Sequence, residues 1–248
     1  MIADALKMAV GTLTTVRVPA PGVIDRRVAG GAMVLGPPAA VPLAAVAAVI
    51  VFVGELIGLP AFASAALALG AVALGSRGLH LDGLADTADG LGASYDRARA
   101  LEVMRRGDSG PTGIATLVLV LLVQAGALAG AISAGHGIAA AAVAVVAGRG
   151  VLSLCCARGV PSARPEGLGA TVAGSVPVWA AAAVFAVLAG AAALVLPWWQ
   201  GPVAVALGYL AASALLARCV QRLGGITGDV LGGCVEVAVA GILLALSF

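Results

Sequence analysis

The chain has 248 residues, of which 61% are hydrophobic and only 10% are charged, and its formal net charge is +2. A soluble domain carries about 25% charged residues, so this composition excludes a soluble globular protein. The small net charge also argues against nucleic acid as a partner. We therefore predict a single integral membrane domain over residues 1–248, in contact with membrane lipid.

Apolar runs without charge give the membrane spans in chain order. Four runs contain no Asp, Glu, Lys or Arg: residues 28–54, 56–76, 109–148 and 167–217. Because about 20 apolar residues make one helical span, the third and fourth runs are each long enough for two spans, with turn signals at 133–137 and 197–202. The first two runs form another pair around 54–60, and a shorter apolar segment follows at about 230–248. The pattern predicts an all-α transmembrane bundle of about seven spans, arranged as three helical hairpins and a terminal helix.

The basic residues predict how this bundle lies in the membrane. None of the 14 Lys and Arg residues falls in a predicted hairpin turn. By the positive-inside rule, the segments that carry them face the cytoplasm, which places the N-terminus there and makes the chain a multi-pass protein of the cell membrane. The chemistry-bearing residues lie in three segments on the same side, at about 77–113, 158–169 and 222–236. We therefore expect the active site on the cytoplasmic face.

The segment 78–92 carries an acidic motif. Asp82, Asp86 and Asp89 are spaced i, i+4 and i+7, which puts three carboxylates on one face of a helix. Such carboxylates repel one another unless a cation lies among them, and Mg²⁺ is commonly held by one or two carboxylates together with substrate phosphates. His80 could serve as a base, a phosphate donor or an auxiliary ligand. The alternative is a solvated helix face, although only Gly, Ala, Leu and Thr lie between the acids.

Four arginines follow the acidic motif in sequence: Arg97, Arg99, Arg105 and Arg106. A diphosphate held by a metal also needs cations for the oxygens that the metal does not reach. The glycine-rich loop around Asp108 and Ser109 could cradle phosphate with its backbone N–H groups. The alternative is that these arginines only set the topology or contact anionic lipid headgroups.

A second acidic region lies further along the chain. Arg222, Asp229 and Glu236 are seven residues apart and share a helix face if the region is helical. The Thr-Gly-Asp turn predicts that Asp229 faces the cytoplasm, where it completes the magnesium site from a second helix or accepts a proton. Glu236 lies inside an apolar segment, where an ionisable group is a functional candidate. We favour the structural alternative for Glu236, an ion pair with an arginine or a protonated carboxyl.

A loop at 158–169 adds Arg158, Arg164 and Glu166 on the same side of the membrane. The cysteines have no metal-type spacing and lie in apolar stretches. We interpret them as small buried hydrophobic residues rather than as ligands or disulfide partners: Cys155, Cys156, Cys219 and Cys234.

Four motifs occur along the chain in this order: His80-Leu-Asp-Gly-Leu-Ala-Asp-Thr-Ala-Asp-Gly90, Leu101-Glu-Val-Met-Arg105, Arg164-Pro-Glu-Gly-Leu-Gly169 and Gly224-Gly-Ile-Thr-Gly-Asp-Val-Leu-Gly232. Together they resemble the cobalamin synthase family, the adenosylcobinamide-GDP ribazoletransferases, over nearly the whole chain. The resemblance implies a transferase of a late step of vitamin B12 biosynthesis. A hydroxyl of α-ribazole, or of its 5′-phosphate, attacks the corrinoid-side phosphorus of adenosylcobinamide-GDP. GMP leaves, and the product is adenosylcobalamin or its 5′-phosphate.

The motifs and the resemblance together give the expected site. We expect Mg²⁺ as the cofactor, bound by Asp82, Asp86 and Asp89, and we expect these three aspartates to act in catalysis with His80 and Asp229. A larger polar set is expected to bind the substrate and its phosphates: Arg97, Arg105, Arg106, Asp108, Ser109, Arg164, Glu166 and Arg222. The sequence leaves open the preferred ribazole acceptor and the oligomeric state, including a homo-oligomer.

One motif departs from the family pattern, and other classes of membrane protein share part of the signal. Many relatives read Met-Arg-Asp-Ser, whereas here Asp108 and Ser109 lie two positions further on, which leaves the role of Asp108 open.

CDP-alcohol phosphotransferases and membrane prenyltransferases also bind Mg²⁺ with aspartates. The first class requires Arg where this chain has Asp86 after Ala85, and the second requires two Asp-rich motifs. In a cation-coupled transporter the acids that bind the cation lie near the midplane of the membrane. Here only Glu236 lies deep enough in an apolar segment to have that role.

Overall fold

The computed structural model describes all residues from 1 to 248. They form twelve α-helices joined by loops, with no β-strand. The helices are α1 (Ile2–Leu13), α2 (Arg26–Val34), α3 (Gly36–Leu56), α4 (Ala61–Gly75), α5 (Leu79–Ala93), α6 (Arg97–Val103), α7 (Pro111–Ser133), α8 (Gly137–Cys155), α9 (Leu168–Val172), α10 (Val178–Val195), α11 (Gln200–Leu223) and α12 (Gly228–Ala245). The predicted all-α class is confirmed.

Six helical stretches are long and apolar enough to cross a membrane: α2 with α3, α7, α8, α10, α11 and α12. The helices α4 and α5 pass the same test only as a pair, which is bent by 91° at the break between them. Counting that pair once gives seven spans, so the predicted polytopic bundle is confirmed. The second span is shorter than the run 56–76 predicts. α4 has 15 residues, and at about 1.5 Å per residue it is shorter than the ~30 Å apolar core of a bilayer.

The chain changes direction between α4 and α5 through two residues with positive φ. Arg77 has φ 58° and Gly78 has φ 66°, and the Gly78 N–H donates to Ala73 O over 2.7 Å, closing the end of α4. The Arg77 guanidinium donates to Gly11 O at 2.8 Å, which ties α1 to the break. α5 thus leaves the apolar crossing segment and lies across the beginning of α12.

Two of the hairpin turns contact the segment that ends α12, at one end of the bundle. His136, in the turn before α8, has Nε2 2.6 Å from Leu246 O, and Gln200, at the start of α11, donates to Phe248 O at 3.0 Å. We call this the turn end. The opposite end, which carries residues 76–110, 156–177 and 224–228, we call the motif end.

Small residues allow the spans to pack closely. A side chain at Gly208 of α11 would approach Ala238 O of α12 at 2.8 Å, so these two spans touch backbone to backbone, as is common between membrane helices. The four cysteines are buried and free. Their interpretation as small buried hydrophobic residues is confirmed.

Candidate active site

The three aspartates of α5 differ in exposure. Asp82 is exposed, Asp86 is half-buried, and Asp89 is buried. Burial raises the pKa of Asp86 to about 6, and the negative charges of Asp82, Asp229 and Asp89 add to this rise. The predicted acidic face of α5 therefore exists, but its three carboxyl groups differ in their exposure to solvent.

Asp89 is tied to the beginning of α7. Its two carboxylate oxygens accept backbone N–H bonds, from Gly110 at 2.7 Å and from Gly113 at 2.8 Å. A carboxylate is favoured at a helix N-terminus, where N–H groups lack intrahelical partners. A side chain at Gly113 would approach Ala85 O at 2.8 Å, so only glycine lets α7 start this close to α5. Asp89 holds the loop before α7, a contact that the sequence did not predict.

A cavity of about 300 Å³ lies at the motif end. Its wall brings together five of the expected site residues: His80, Asp82, Arg164, Glu166 and Asp229. Thr12 and Leu13 of α1 and Met33 of α2 line it as well, and none of these three was among the expected site residues. The cavity thus joins parts of all three segments in which the sequence predicted chemistry.

Asp82 and Asp229 reach this cavity from two helices that touch through their backbones. A side chain at Gly83 would approach Asp229 O at 2.6 Å, so the first turn of α12 rests directly on α5. This contact explains why Asp229, more than 140 positions further along the chain, helps to raise the pKa of Asp86.

Arg164 connects the motif segments around Asp229. Its Nη1 lies 3.8 Å from Asp229 Oδ2, and its Nη2 donates to Leu101 O at 2.9 Å. The Thr227 hydroxyl donates to Asp229 Oδ2 at 3.1 Å and accepts from the Val230 N–H at 3.2 Å, which caps α12. Asp229 therefore has a fixed orientation beside a half-buried cation.

Like Arg164, two more of the arginines expected to bind phosphate donate to backbone carbonyl groups. Arg97 donates to Ala163 O at 3.0 Å, and Arg222 donates to Ser94 O at 2.7 Å. The Arg222 guanidinium also lies 4.1 Å from the ring centroid of Tyr95, a cation–π contact. Neither arginine lines the cavity, so both hold the loops of the motif end in place.

The remaining expected residues lie on the exposed surface. Arg105 pairs with Glu166 at 3.0 Å, and Arg106 pairs with Glu102 one helical turn away at 2.9 Å. Asp108 and Ser109 are exposed and do not line the cavity. Of this group, only Glu166 belongs to the cavity wall.

A buried polar network lies beneath the cavity and contains two residues that the sequence analysis missed. Arg149 Nη2 is 3.2 Å from His80 Nδ1, and Glu236 Oε1 is 4.0 Å from the same nitrogen. Gln124 donates to Glu236 Oε2 at 2.9 Å. Gln124 could have been found in the sequence because it is the one amide side chain in the apolar helix α7. Arg149 could have been found because Glu236, an acid in an apolar segment, needs a buried partner.

Comparison with known proteins gives a consistent family. A family model described as cobalamin-5-phosphate synthase matches residues 5–247. A relative from Nocardioides sp. named adenosylcobinamide-GDP ribazoletransferase is 46% identical over 242 residues, covering 98% of this chain and 97% of the relative. A relative of the same name from Frankia casuarinae is 41% identical over 253 residues, covering 95% and 91%. No solved structure matches the chain.

The chain belongs to the cobalamin-5-phosphate synthase family. Three of the four motifs that suggested this family supply the cavity wall, and the fourth supports it. That fourth motif, Leu101-Glu-Val-Met-Arg105, holds Arg164 through the carbonyl of Leu101, and Met104 packs against Gly90 of α5. The family motifs therefore meet at one place in the fold.

The donor set of the site fits a hard divalent cation. Neither Asp82 nor Asp86 belongs to any ion pair of the protein, so their carboxylate oxygens are open to a cation, and Mg²⁺ prefers such oxygens. No group of three or more His, Cys, Asp or Glu side chains lies close enough to hold a metal alone. Mg²⁺ commonly takes only one or two carboxylates and completes its shell with water and substrate phosphate. The residues present are therefore compatible with magnesium bound by one or two carboxylates together with substrate phosphate.

Proposed function

We propose that this chain transfers the corrinoid phosphoryl group of adenosylcobinamide-GDP to a hydroxyl of α-ribazole or of α-ribazole 5′-phosphate, and that it releases GMP. The observation that carries this proposal is the cavity at the motif end, where residues from the family motifs meet. Its wall offers carboxylates, one half-buried arginine and a buried histidine. These groups suit the transfer of a phosphoryl group, because such a reaction needs positioning and charge stabilisation more than covalent catalysis.

In this reaction the ribazole hydroxyl oxygen forms a bond to the corrinoid-side phosphorus, and the bond from that phosphorus to the GMP oxygen breaks. Asp229 accepts the hydroxyl proton, since Thr227 and Arg164 fix its carboxylate at the cavity wall. A general base must lie within hydrogen-bond reach of the proton that it takes. Arg164 offsets the negative charge that grows on the leaving phosphate.

We infer that Asp82 and Asp86 would hold Mg²⁺, while Asp89 positions the loop before α7. Bound magnesium would withdraw charge from the phosphate oxygens of the diphosphate. Arg105, which pairs with Glu166 of the cavity wall, and the exposed Arg106 next to it in sequence would meet the parts of the substrate that extend beyond the cavity. Arg97 and Arg222 support the site through the carbonyls that they bind.

We propose that the motif end faces the cytoplasm and that the protein resides in the cell membrane. This orientation follows from the concentration of Lys and Arg at the motif end. A transporter role is less well supported, because Glu236, the one deep acid, is engaged by Gln124 and lies beside His80.

The experiment that tests the proposed function is GMP release by the purified protein in detergent. The substrates are adenosylcobinamide-GDP with α-ribazole or with its 5′-phosphate, and Mg²⁺ is varied against EDTA. We expect GMP only when both substrates and Mg²⁺ are present, and loss of turnover in Asp82→Asn and Asp86→Ala. Arg158→Gln is the matched surface control, since Arg158 lies outside the cavity. If the intact protein released no GMP, the proposed function would be overturned. If EDTA did not affect GMP release, the metal assignment would be overturned.

A further inference from the structure

The cavity at the motif end has an apolar side in addition to the polar groups of the proposed reaction. Seven of the 18 residues that line it are hydrophobic. Leu79, at the start of α5, is 39% exposed, and Leu168, at the start of α9, is half-buried. The other five are buried: Leu13, Met33, Leu152, Ile226 and Leu231. A ligand in this cavity therefore meets hydrocarbon side chains from several helices.

The apolar side has few hydrogen-bonding groups to offer a ligand. Hydrocarbon side chains have neither donor nor acceptor. The backbone of Ile226 is also engaged, because its N–H donates to Pro161 O and its C=O accepts from the Ala163 N–H, both over 2.9 Å. In α8, Leu152 O accepts from the Cys156 N–H at 3.0 Å. A ring with several donors and acceptors would leave them unpaired against this side, which is costly when they are buried.

Part of the apolar side lies next to the carboxylate that acts in the proposed reaction. A side chain at Gly228 would meet Leu168 Cβ at 3.6 Å, so Leu168 lies against the residue that precedes Asp229. A side chain at Gly232 would approach Leu79 O at 3.3 Å, so Leu79 begins α5 where that helix rests on α12. A ligand can thus place an apolar ring against the leucines and a polar group at Asp229.

The size of the cavity limits which part of a substrate can enter it. At about 300 Å³, it lies at the lower end of the range for ligand sites, about 300–1,000 Å³. A small nucleoside is of this size, whereas a corrin macrocycle with its adenosyl group is much larger. In the proposed reaction Asp229 takes the proton of the ribazole hydroxyl, so the ribazole has to reach this wall.

The two nucleosides of the reaction differ in their bases. Guanine carries hydrogen-bonding groups on its edges, with N7 and O6 as acceptors and the amino group as a donor. The base of α-ribazole is 5,6-dimethylbenzimidazole, which carries two methyl groups and a single ring nitrogen that can accept a hydrogen bond. Only the second base can lie against hydrocarbon without leaving several polar groups unpaired.

We propose that the apolar side of the cavity binds the dimethylbenzimidazole ring of the ribazole acceptor, with the ribose toward Asp229, and that the guanosine of the other substrate stays outside the cavity. Leu79 and Leu168 contact the ring and act as specificity-determining residues. The proposal deepens the proposed function and rests on it for the identity of the acceptor. The diphosphate then approaches from the exposed side of the wall, where Asp82 lies.

The methionine methyl groups report the position of the ring without any activity assay. Of the four methionines, Met33 alone lines the cavity, and the ring current of an aromatic ligand shifts the signals of nearby nuclei even where a side chain is covered. With ¹³C-labelled methionine in detergent, Met33→Leu assigns the signal. We expect saturating α-ribazole to shift the Met33 methyl signal more than the other three, and GMP at the same concentration to leave it in place. A Met33 signal that α-ribazole does not move, or that GMP moves as far, would overturn the proposal.

The methyl groups of the ring supply a second test. An analogue of α-ribazole with benzimidazole as its base lacks both methyl groups and keeps every polar atom. Because each buried methyl group gains affinity by leaving water, we expect the analogue to bind the unchanged protein about tenfold more weakly. Titration calorimetry in detergent measures both dissociation constants. Equal constants would show that the methyl groups lie in solvent, which contradicts the proposal.

A matched pair of variants tests Leu79. Leu79→Gln places an amide against the ring, whereas Leu6→Gln makes the same change on α1, at a leucine of similar exposure, 42% against 39%, outside the cavity. We expect Leu79→Gln to raise KM for α-ribazole about tenfold and to leave KM for adenosylcobinamide-GDP within about twofold. Leu6→Gln should change neither. Equal increases in the two KM values of Leu79→Gln, or no increase in either, would rule out the specificity role.

These measurements separate the base site from the proposed function. If the intact protein releases no GMP but α-ribazole shifts the Met33 signal, the function fails and the base site stands. If GMP is released while the Met33 signal stays in place, the function stands and the base site fails. The methyl signals and the analogue are measured on the unchanged protein, so they decide the outcome even if Leu79→Gln does not fold.

Discussion

Asp82 and Asp89 lie two turns apart on α5 and present opposite situations for a carboxylate. Asp82 is exposed at the cavity wall, whereas Asp89 is buried and accepts two backbone N–H bonds. The spacing in the sequence predicted that both face the same way, but it contained no information on what each would meet. The partners of Asp89 come from the start of α7, and this contact exists only after α7 has packed against α5.

This difference predicts separate effects of the same substitution. Asp89→Asn turns one acceptor toward an N–H group into a donor, so we expect the free energy of unfolding to fall by about 1–3 kcal/mol. Asp82→Asn removes no protein hydrogen bond and should leave thermal stability in detergent nearly unchanged, while it abolishes Mg²⁺-dependent turnover. Thermal unfolding and GMP release, measured on both variants, check this. An Asp89→Asn protein as stable as the unchanged one would contradict the structural role.

Asp86 gives a prediction of pH dependence. Its pKa is about 6 in the folded protein and ordinarily 3.8, so between these values the folded state binds a proton that the unfolded state does not. Without metal, its contribution to stability therefore rises as pH falls through 6 and levels off below 3.8. In EDTA, Asp86→Asn should melt above the unchanged protein at pH 7.5, and the gap should narrow at pH 5. A gap that widens on acidification would refute this assignment.

At the scale of the helices, hydropathy predicted the spans because the lipid requires long apolar stretches with satisfied backbone groups. The three hairpin turns lie where glycine and proline interrupted the apolar runs. The turn between α4 and α5 was not predicted, because the charge at Arg77 marked the end of a span without revealing the 91° bend. The bend depends on two residues with positive φ and on the contact of Arg77 with α1, which a periodic pattern does not show.

The contact between α11 and α12 leads to a prediction about packing. Gly208→Val places a branched side chain against Ala238 O and Ile242, so we expect a loss of about 1–3 kcal/mol in stability. Gly126→Val is the matched control, since a side chain at Gly126 of α7 would meet nothing within 4 Å. Thermal unfolding of both in the same detergent measures the difference. Equal stability of the two variants would show that the spans do not meet at Gly208.

At the scale of the whole molecule, the sequence predicted which segments meet but not the full wall of the cavity. Asp229 was assigned to the site from its turn, and the structure brings it to the cavity with Asp82. Thr12, Leu13, Met33 and Leu152 also line the cavity, and they were missed as site residues because apolar residues and a lone threonine have no chemical signature. The carbonyl contacts of Arg97 and Arg222 were missed for a related reason, since a charge pattern does not distinguish a ligand from a backbone partner.

The membrane orientation is tested with single cysteines. The four native cysteines are buried, so they give little background with a membrane-impermeant maleimide. Ser133→Cys lies at the turn end and Ser109→Cys at the motif end, and both positions are exposed. We expect the reagent to label Ser133→Cys in intact cells and Ser109→Cys only after the membrane is permeabilised. The reverse pattern would place the motif end outside the cytoplasm.

The buried network of Arg149 has a consequence for the synthesis of the protein and its insertion into the membrane. Arg149 enters the membrane with α8, whereas Glu236 arrives only with α12, after two further spans have been made. During this interval the nascent chain holds a guanidinium group that no acid offsets, which is costly in a bilayer. The arrival of α12 relieves this cost and, with Asp229, completes the cavity in the same step. A chain that stalls before α12 would therefore lack both the acid that offsets Arg149 and a carboxylate of the cavity wall.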